Sequence, residues 1–195
     1  RATDPDGDVI TLSANGGPFG VTAPIATFAS SPGISPVTGI FQWNTVCAHI
    51  RKAPYPVTIK AIDSDPSISL VDFKTFNITV VAPPPTSLTA TPLGTFIKLR
   101  WNKPSCHQIT GNKIEKYCVY RKADCNPWNH APCETGVPAY TGFVLVGCTS
   151  SMNDTTLIDT NGGAGLAQGT NYSYLVVAVF TDNAESYASN QVCVQ

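Results

Sequence analysis

Two tight groups of aspartates are the part of this sequence whose residue types and spacing could do chemistry. One group alternates around a glycine near the start of the chain, and the other follows a later apolar run. Their members are Asp4, Asp6, Asp8, Asp63 and Asp65. Calcium takes about six to eight oxygen ligands, mostly carboxylates and carbonyls, at about 2.3–2.6 Å. Two converging acidic loops can supply such ligands, which makes calcium the candidate cofactor. The alternative is that these aspartates only build turns, which Asp and Gly favour.

Catalytic signatures are absent from the sequence. It contains no Gly-x-Ser-x-Gly elbow, no Walker loop and no dinucleotide fingerprint. Glu115, Glu134 and Glu185 stand apart along the chain, whereas a glycosidase needs two carboxyl groups about 5–10 Å apart across a cleft. We therefore predict that the chain is not an enzyme.

A long segment between two predicted strands, residues 123–141, holds a set of aromatic side chains that suits ligand binding. The set is Trp128, His130 and Tyr140. Aromatic side chains at loop tips suit sugar faces or protein partners. The alternative is that Trp128 folds back over Leu175 or Val177 and only covers apolar surface.

The seven cysteines indicate disulfides in an oxidising compartment. They are Cys47, Cys106, Cys118, Cys125, Cys133, Cys148 and Cys193. No Cys-x-x-Cys pair occurs and the histidines lack zinc-site spacing, which disfavours a structural zinc. Cys125 and Cys133 bracket a short loop, so we predict that they form a disulfide. Cys47 is predicted either to stay free, as a small buried apolar residue, or to pair across the domain boundary, with Cys106 as one candidate partner.

The elements that must position these residues are strands. Short alternating runs rich in Val, Ile, Thr, Phe and Tyr are separated by Gly, Pro, Asn and Asp, and helical periodicity is missing. This pattern predicts an all-β fold of two tandem immunoglobulin-like β-sandwiches. Three consecutive prolines interrupt it, and they favour a stiff extended conformation. The predicted organisation is a first domain at 1–82, a proline linker at 83–86 and a second domain at 87–195.

The strands themselves can be placed within each half. The predicted runs are Val9–Ser13, Ile25–Ala29, Gly39–Asn44, Tyr55–Ile62, Phe73–Val81, Ser87–Ala90, Phe96–Trp101, Lys113–Lys122, Gly142–Gly147, Thr156–Asp159, Tyr172–Phe180 and Glu185–Val194. The period of two places Tyr174, Val176 and Ala178 on one face of their strand. Their neighbours Leu175 and Val177 then face outward, as do Cys118 and Cys193 by the same register, with the long loop or a neighbouring domain as their cover.

Composition narrows the function classes. Of the 195 residues, 43% are hydrophobic and 13% are charged, and the net charge is −1. This balance excludes a disordered chain and a nucleic-acid binder of the basic-patch kind. No apolar run approaches the roughly 20 residues that span a bilayer. Arg1 leads directly into a polar turn, so we expect a mature or excised fragment without a signal peptide.

Residues in the second half carry a family resemblance. They are Pro85, Leu88, Ala90, Ile97, Leu99, Trp101, Ile114, Tyr117, Val119, Tyr120, Arg121, Leu166, Gly169, Tyr172, Tyr174, Val176 and Ala178. This pattern closely resembles a fibronectin type III domain. The resemblance implies that the tryptophan and the alternating Tyr, Val and Ala residues fill the core. It also implies that Tyr172 makes a corner hydrogen bond to the backbone.

Most of residues 1–81 resembles a cadherin-like or immunoglobulin-like bacterial module. The matching stretches are Ala2-Thr3-Asp4-Pro5-Asp6-Gly7-Asp8, Thr38-Gly39-x-Phe41-x-Trp43 and Tyr55-x-Val57-x-Ile59-x-Ala61-x-Asp63. In that family at least one strand usually precedes the acidic turn. The resemblance therefore implies a first domain that is truncated at its N-terminus, and it again implies calcium between the acidic loops.

The tandem as a whole resembles repeats of large surface proteins of gliding bacteria, which often end in a gliding-motility-associated C-terminal domain used for type IX secretion. The stretches that carry this resemblance are 43–55, 133–142 and 184–189. It implies a secreted or cell-surface bacterial protein and a non-catalytic structural and adhesion role. The expected partners are other domains of the same chain and cell-surface protein or polysaccharide, without nucleic acid or a membrane span. The alternative is a carbohydrate-binding or enzyme-accessory module that uses the aromatic loop.

Overall fold

The computed structural model describes residues 1–107 and 111–195, and β-strands dominate it. The chain forms two compact units. Unit 1 comprises residues 1–49 and 53–80, and unit 2 comprises residues 50–52 and 81–195.

Each unit is built from short strands and single 3-10 turns. The strands are β1 (Val9–Gly16), β2 (Thr27–Ala29), β3 (Gly33–Ile34), β4 (Ile40–Gln42), β5 (Tyr55–Ile62), β6 (Val71–Ile78), β7 (Thr86–Leu93), β8 (Phe96–Asn102), β9 (Ile114–Lys122), β10 (Val144–Cys148), β11 (Thr156–Asp159), β12 (Tyr172–Phe180) and β13 (Val192–Val194). The 3-10 turns are Gly17–Phe19, Cys47–His49, Ala139–Thr141 and Asn161–Gly163.

Unit 1 consists of two sheets whose aromatic side chains meet. One sheet has the strand order β3-β1-β5-β6, and β2 pairs with β4 in the other. Phe41 of β4 packs edge-on against Phe76 of β6, with ring centroids 5.9 Å apart, and Trp43 packs in the same way against Tyr55 at 4.9 Å. These edge-to-face pairs join the two-stranded sheet to the four-stranded one.

Each predicted run of unit 1 overlaps a strand, but most of the ends differ: β1 extends to Gly16, β2 begins only at Thr27, and β6 spans Val71–Ile78 rather than Phe73–Val81. β5 has the predicted bounds Tyr55–Ile62, whereas β4 is shorter than the predicted run because Trp43 leaves the strand and donates its Nε1–H to the Pro24 carbonyl at 3.0 Å. β3 was not predicted, because its two residues, Gly33–Ile34, are too few to show alternation.

The described residues of unit 2 form seven strands in two sheets. Its first, second and fifth strands form a sheet in the order β11-β8-β7, and the other four form a sheet in the order β10-β9-β12-β13. A three-stranded and a four-stranded antiparallel sheet make up an immunoglobulin-like β-sandwich. The predicted all-β sandwich fold class is confirmed.

The central strand β12 is buried along its whole length. Tyr174, Val176 and Ala178 fill the core between the sheets, as the period of two predicts. Leu175 and Val177 face the other way and are nevertheless buried, because the segment that follows β9 and the segment that leads into β13 cover them. A single layer of loop thus replaces solvent on the outer side of the sheet.

A buried polar network ties the two sheets of unit 2 together. Asp159 is fully buried at the end of β11, and its Oδ2 accepts hydrogen bonds from the Tyr174 hydroxyl at 2.9 Å and from Arg121 Nη1 at 2.8 Å. Its Oδ1 accepts the Asn161 amide at 2.9 Å. Nearby, the Tyr172 hydroxyl accepts the Ala167 amide at 3.2 Å, which is the corner hydrogen bond to the backbone that the sequence predicts.

The final predicted strand, Glu185–Val194, is mostly not a regular strand. Only Val192–Val194 pairs regularly with β12. Upstream, the hydroxyls of Ser186 and Ser189 accept the backbone N–H groups of Ala178 and Val176, at 2.9 and 3.0 Å. Serine side chains therefore take positions that main-chain carbonyls occupy in a regular ladder.

Candidate functional site

The acidic turn at the start of unit 1 is held by one of its own carboxylates. Asp4 Oδ1 accepts the backbone N–H groups of Asp6, Gly7 and Asp8 at 2.8, 2.9 and 3.3 Å. The Asp4 amide donates to the Ser35 hydroxyl at 2.9 Å. This is the side-chain-to-backbone bonding by which Asp favours turns.

The second acidic loop, between β5 and β6, is built in the same way. Asp63 Oδ1 accepts the Leu70 amide at 2.8 Å, and Asp65 Oδ1 accepts the amides of Ser67 and Ile68. The bonds from Ser67 and Ile68 lower the pKa of Asp65, because they stabilise the ionised carboxylate.

The two acidic loops lie close enough to act on one another. Partial burial raises the pKa of Asp8, and the charges of Asp65, Asp4, Asp63 and Asp6 raise it further. Asp4 and Asp63 also line a cleft of about 370 Å³ whose other walls include Ile10 and Leu70. The structure thus brings together the five aspartates that the sequence singled out.

Proximity does not give these carboxylates the arrangement of a metal cradle. Within residues 1–107 and 111–195, no group of three or more His, Cys, Asp and Glu side chains is placed to hold a metal ion. One oxygen each of Asp4, Asp63 and Asp65 is engaged with backbone N–H groups. The observed geometry is that of two turns, and calcium binding stays a prediction.

The predicted Cys125–Cys133 disulfide is wrong. Cys125 is bonded to Cys193, with Cα atoms 5.5 Å apart, and Cys133 is an exposed free thiol. A second disulfide joins Cys118 to Cys148, directly across the register of β9 and β10. Cys118 lies opposite Val177 on the outer face of its sheet, as predicted, and it is buried there.

The reason for this connectivity lies in how the chain leaves β9. The Ser173 hydroxyl donates to the Asp124 carbonyl, and the Gln191 side chain bonds the Asn126 carbonyl at 3.0 Å and the Trp128 amide at 2.8 Å. These bonds fix the segment after β9 alongside the chain entering β13, so Cys125 lies against Cys193. Short loop closure, on which the sequence prediction rested, is the weaker constraint.

Cys47 and Cys106 are both in disulfides. The alternative that Cys47 stays a free thiol is therefore wrong. Cys133 is the remaining cysteine, and it has a positive φ of 64° in an exposed loop.

Trp128 occupies the covering position that the sequence left open as an alternative. It is half-buried and packs, with Tyr120 and Val137, against the cluster of Phe143, Leu175, Val177 and Ala188. Its indole therefore mainly covers the outer face of β12, and it is not an aromatic surface left open for a ligand.

The other two predicted aromatic residues remain on the surface, each with a partner. The Tyr140 side chain is 72% exposed, and its hydroxyl donates to Glu134 Oε1 at 2.6 Å. Glu134 Oε2 accepts the Ala131 amide at 2.9 Å. The bond from Tyr140 lowers the pKa of Glu134, and the same bond raises the pKa of Tyr140. His130 stacks on Tyr187, with ring centroids 4.4 Å apart.

Sequence reasoning missed Glu134 and Tyr187 as members of this loop cluster. Glu134 was treated as an isolated carboxylate, although its place six residues before Tyr140 in one loop was a usable signal. Tyr187 is distant in sequence and reaches the loop because the Cys133 amide donates to its hydroxyl at 3.1 Å. No local pattern reveals that contact.

Comparisons with known proteins find likeness at the level of structure alone. No protein-family model and no curated protein matches the chain. A pectate lyase from Erwinia chrysanthemi in complex with tetragalacturonic acid is 19% identical over 55% of this chain and 27% of that one, with a TM-score of 0.37. Titin domains A168–A170 are 17% identical over 96% and 59%, with a TM-score of 0.41. A two-domain fibronectin type III segment of chicken tenascin is 15% identical over 87% and 82%, with a TM-score of 0.40.

The chain thus spans about a quarter of the pectate lyase and 59% of the titin segment. The immunoglobulin-like β-sandwich fold rests on the strand order of unit 2 itself. At these TM-scores the matches carry no argument about activity, ligand or partner. In the described part of the chain, no helix is long and apolar enough to cross a membrane.

Proposed function

We propose that the chain is a non-catalytic structural and adhesion module of a secreted or cell-surface protein, of the kind found in large surface proteins of gliding bacteria. In this proposal residues 1–82 and 87–195 are the two modules and residues 83–86 are their linker. The single observation that carries it is the oxidised state of six of the seven cysteines. Disulfides persist outside the reducing cytosol, and there they reinforce domains that must survive unprotected.

The disulfides of unit 2 join positions far apart in sequence. The sequence separations are 30 residues for Cys118–Cys148 and 68 residues for Cys125–Cys193. By the loop-entropy relation such closures stabilise by about 3.5 and 4.5 kcal/mol. Stability of this kind suits a module that carries or displays other domains.

The test uses the full chain in its oxidised form. Beads coated with it should adhere under flow to surfaces bearing extracellular polysaccharide or protein, and adhesion should fall after reduction and alkylation. Beads coated with a reduced and alkylated sample are the matched control. Equal adhesion by the two coatings, or turnover of a glycan or peptide substrate by the purified chain, would overturn the proposal.

The second candidate is a carbohydrate-binding or enzyme-accessory module. The observation that favours it is the exposed Tyr140 ring held beside the Glu134 carboxylate, since sugars stack on aromatic faces and donate hydroxyls to carboxylates. Titration with neutral polysaccharides should give binding that Tyr140→Ala abolishes. Phe73→Ala removes another exposed aromatic ring, from β6, and serves as the control. Absence of binding in the unmodified chain would contradict this candidate.

A further inference from the structure

The outer face of the three-stranded sheet of unit 2 carries an ordered set of side chains. The register places Thr89, Arg100 and Thr156 side by side in one row across β7, β8 and β11. The next row on the same face brings Thr91 and Lys98 together with Ile158. Threonine hydroxyls therefore flank a line of cations on the central strand.

The alternation of β8 confirms that these cations point away from the core. Ile97, Leu99 and Trp101 are buried between the sheets. Lys98 is half-buried and Arg100 is exposed, as expected for the opposite face. Two residues along a strand are about 6.6 Å apart, so the two charges are close neighbours.

The charge of this face is not neutralised locally. Within the described ranges, neither Lys98 nor Arg100 lies in an ion pair. The single acidic residue in these three strands is Asp159, which is buried and paired with Arg121. A chain with a net charge of −1 therefore presents one locally cationic face lined with hydroxyls.

We propose that this face binds an acidic polysaccharide. Carboxylate groups on such a chain pair with Lys98 and Arg100, and the sugar hydroxyls between them exchange hydrogen bonds with Thr91 and Thr156. The Thr89 hydroxyl donates to the Arg100 carbonyl at 3.3 Å and is left to accept from the sugar. Nucleic acid is the less suitable polyanion, because binding it requires neutralisation of many phosphates. The surface lies on the opposite side of the sandwich from the aromatic loop, and the proposal stands independently of the adhesion role.

The experiment measures binding of the full oxidised chain to alginate by isothermal titration calorimetry and by mobility in alginate-containing native gels. Dextran is the neutral polysaccharide control, and duplex DNA is the generic polyanion. The test variant is Lys98→Gln with Arg100→Gln. The matched control is Lys74→Gln with Lys116→Gln, which removes the same charge at two sites beside Asp72 and Glu115.

We expect alginate binding that weakens with added salt, about tenfold weaker binding by the test variant and unchanged binding by the control variant. Thermal melts should show that both variants remain folded, because all four side chains lie outside the core. The proposal is overturned by an unmodified chain that ignores alginate at low salt, by equal losses in the two variants, or by DNA binding as tight as alginate binding.

Discussion

The hydroxyl of Tyr174 in the four-stranded sheet donates to Asp159 Oδ2 in the three-stranded sheet, at 2.9 Å, with both side chains fully buried. Arg121 supplies the balancing charge to the same oxygen at 2.8 Å, and 18% of its side chain remains exposed. Among the described residues of unit 2, this is the one place where a charged side chain is buried in the apolar core, so its partners decide the cost of keeping it there.

Removal of the carboxylate charge should be far more damaging than removal of the tyrosine hydroxyl. We expect Asp159→Asn to lower the free energy of unfolding by about 3–5 kcal/mol, because it leaves Arg121 without its ionic partner. Tyr174→Phe should cost about 1–2 kcal/mol. Urea unfolding followed by tryptophan fluorescence measures both changes, with Asp154→Asn on the surface as the control. Equal costs for the two buried variants would show that the ion pair is not the main contribution.

The loss of stability at alkaline pH should depend on the ionisation of the buried tyrosines. Burial raises the pKa of Tyr117 to about 12, and burial with the bond to Asp159 raises that of Tyr174 as well. A raised pKa gives stability that is complete below the unfolded value near 10 and is lost as pH rises towards 12. Absorbance at 295 nm should therefore show these tyrosines ionising together with unfolding.

Tyr117→Phe separates the two tyrosines. The Tyr117 hydroxyl is buried and finds no hydrogen-bond partner among the described residues, so its loss should leave stability at pH 7 unchanged or slightly higher. It should also move the alkaline midpoint upward. A loss of more than about 1 kcal/mol at pH 7 would mean that the hydroxyl has a partner after all.

The Cys125–Cys193 disulfide and the free Cys133 thiol have a direct chemical test. One thiol per oxidised chain should react with a maleimide, and peptide mapping should place the label on Cys133. Cys133→Ser should leave the melting temperature unchanged. Cys125→Ser with Cys193→Ser should lower the free energy of unfolding by up to about 4.5 kcal/mol. A disulfide-linked peptide that joins Cys125 to Cys133 would contradict the Cys125–Cys193 bond and support the pairing predicted from the sequence.

The acidic cluster should be repulsive at neutral pH. Asp8→Asn is expected to raise the melting temperature at pH 7, since it removes a carboxylate whose pKa is raised by burial and by four like charges. The advantage should vanish as pH falls through the raised pKa of Asp8, where the carboxyl becomes protonated in the folded state. Asp72→Asn, on the exposed strand β6, is the control. A destabilised Asp8→Asn variant at pH 7 would contradict the repulsion.

Added calcium tests whether the same acidic cluster binds a metal ion. If the loops bind the ion, calcium at 100 times its dissociation constant should stabilise unit 1 by about 2.7 kcal/mol, and Asp63→Asn should abolish the gain. Thermal melts in calcium and in chelator measure the difference. An identical midpoint in both would assign these carboxylates to turn formation alone.

Much of the fold could be read from the sequence, because it rests on local rules. The period of two identified β12 and its inward residues. The corner bond that Tyr172 makes was implied by the family resemblance rather than by a local rule. The disulfides could not be read in the same way. Cys125 reaches Cys193 through side-chain bonds from Ser173 and Gln191, which are contacts between residues far apart in the chain.

The candidate sites also divide into features that local sequence rules predict and features that depend on contacts between residues far apart in the chain. Convergence of the two acidic loops followed from their places at strand ends, and the raised pKa of Asp8 records it. The role of Trp128 was undecidable, because an indole in a loop can either face solvent or cover a neighbour. The deciding factor is the apolar surface of Leu175 and Val177, which the Trp128 indole covers and which solvent would otherwise reach.

The Cys125–Cys193 bond changes how tension would travel through unit 2. A pull on Gln195 reaches Cys193 through Val194 and then passes covalently to Cys125, so the ladder pairs of Cys193 and Val192 never bear the load alone. The chain between the two cysteines, which are 68 positions apart, cannot extend when the sandwich opens. At about 3.4 Å per residue, roughly 230 Å of contour stays locked until the bond is reduced. Under tension, reduction or formation of this one bond would set how far unit 2 can extend.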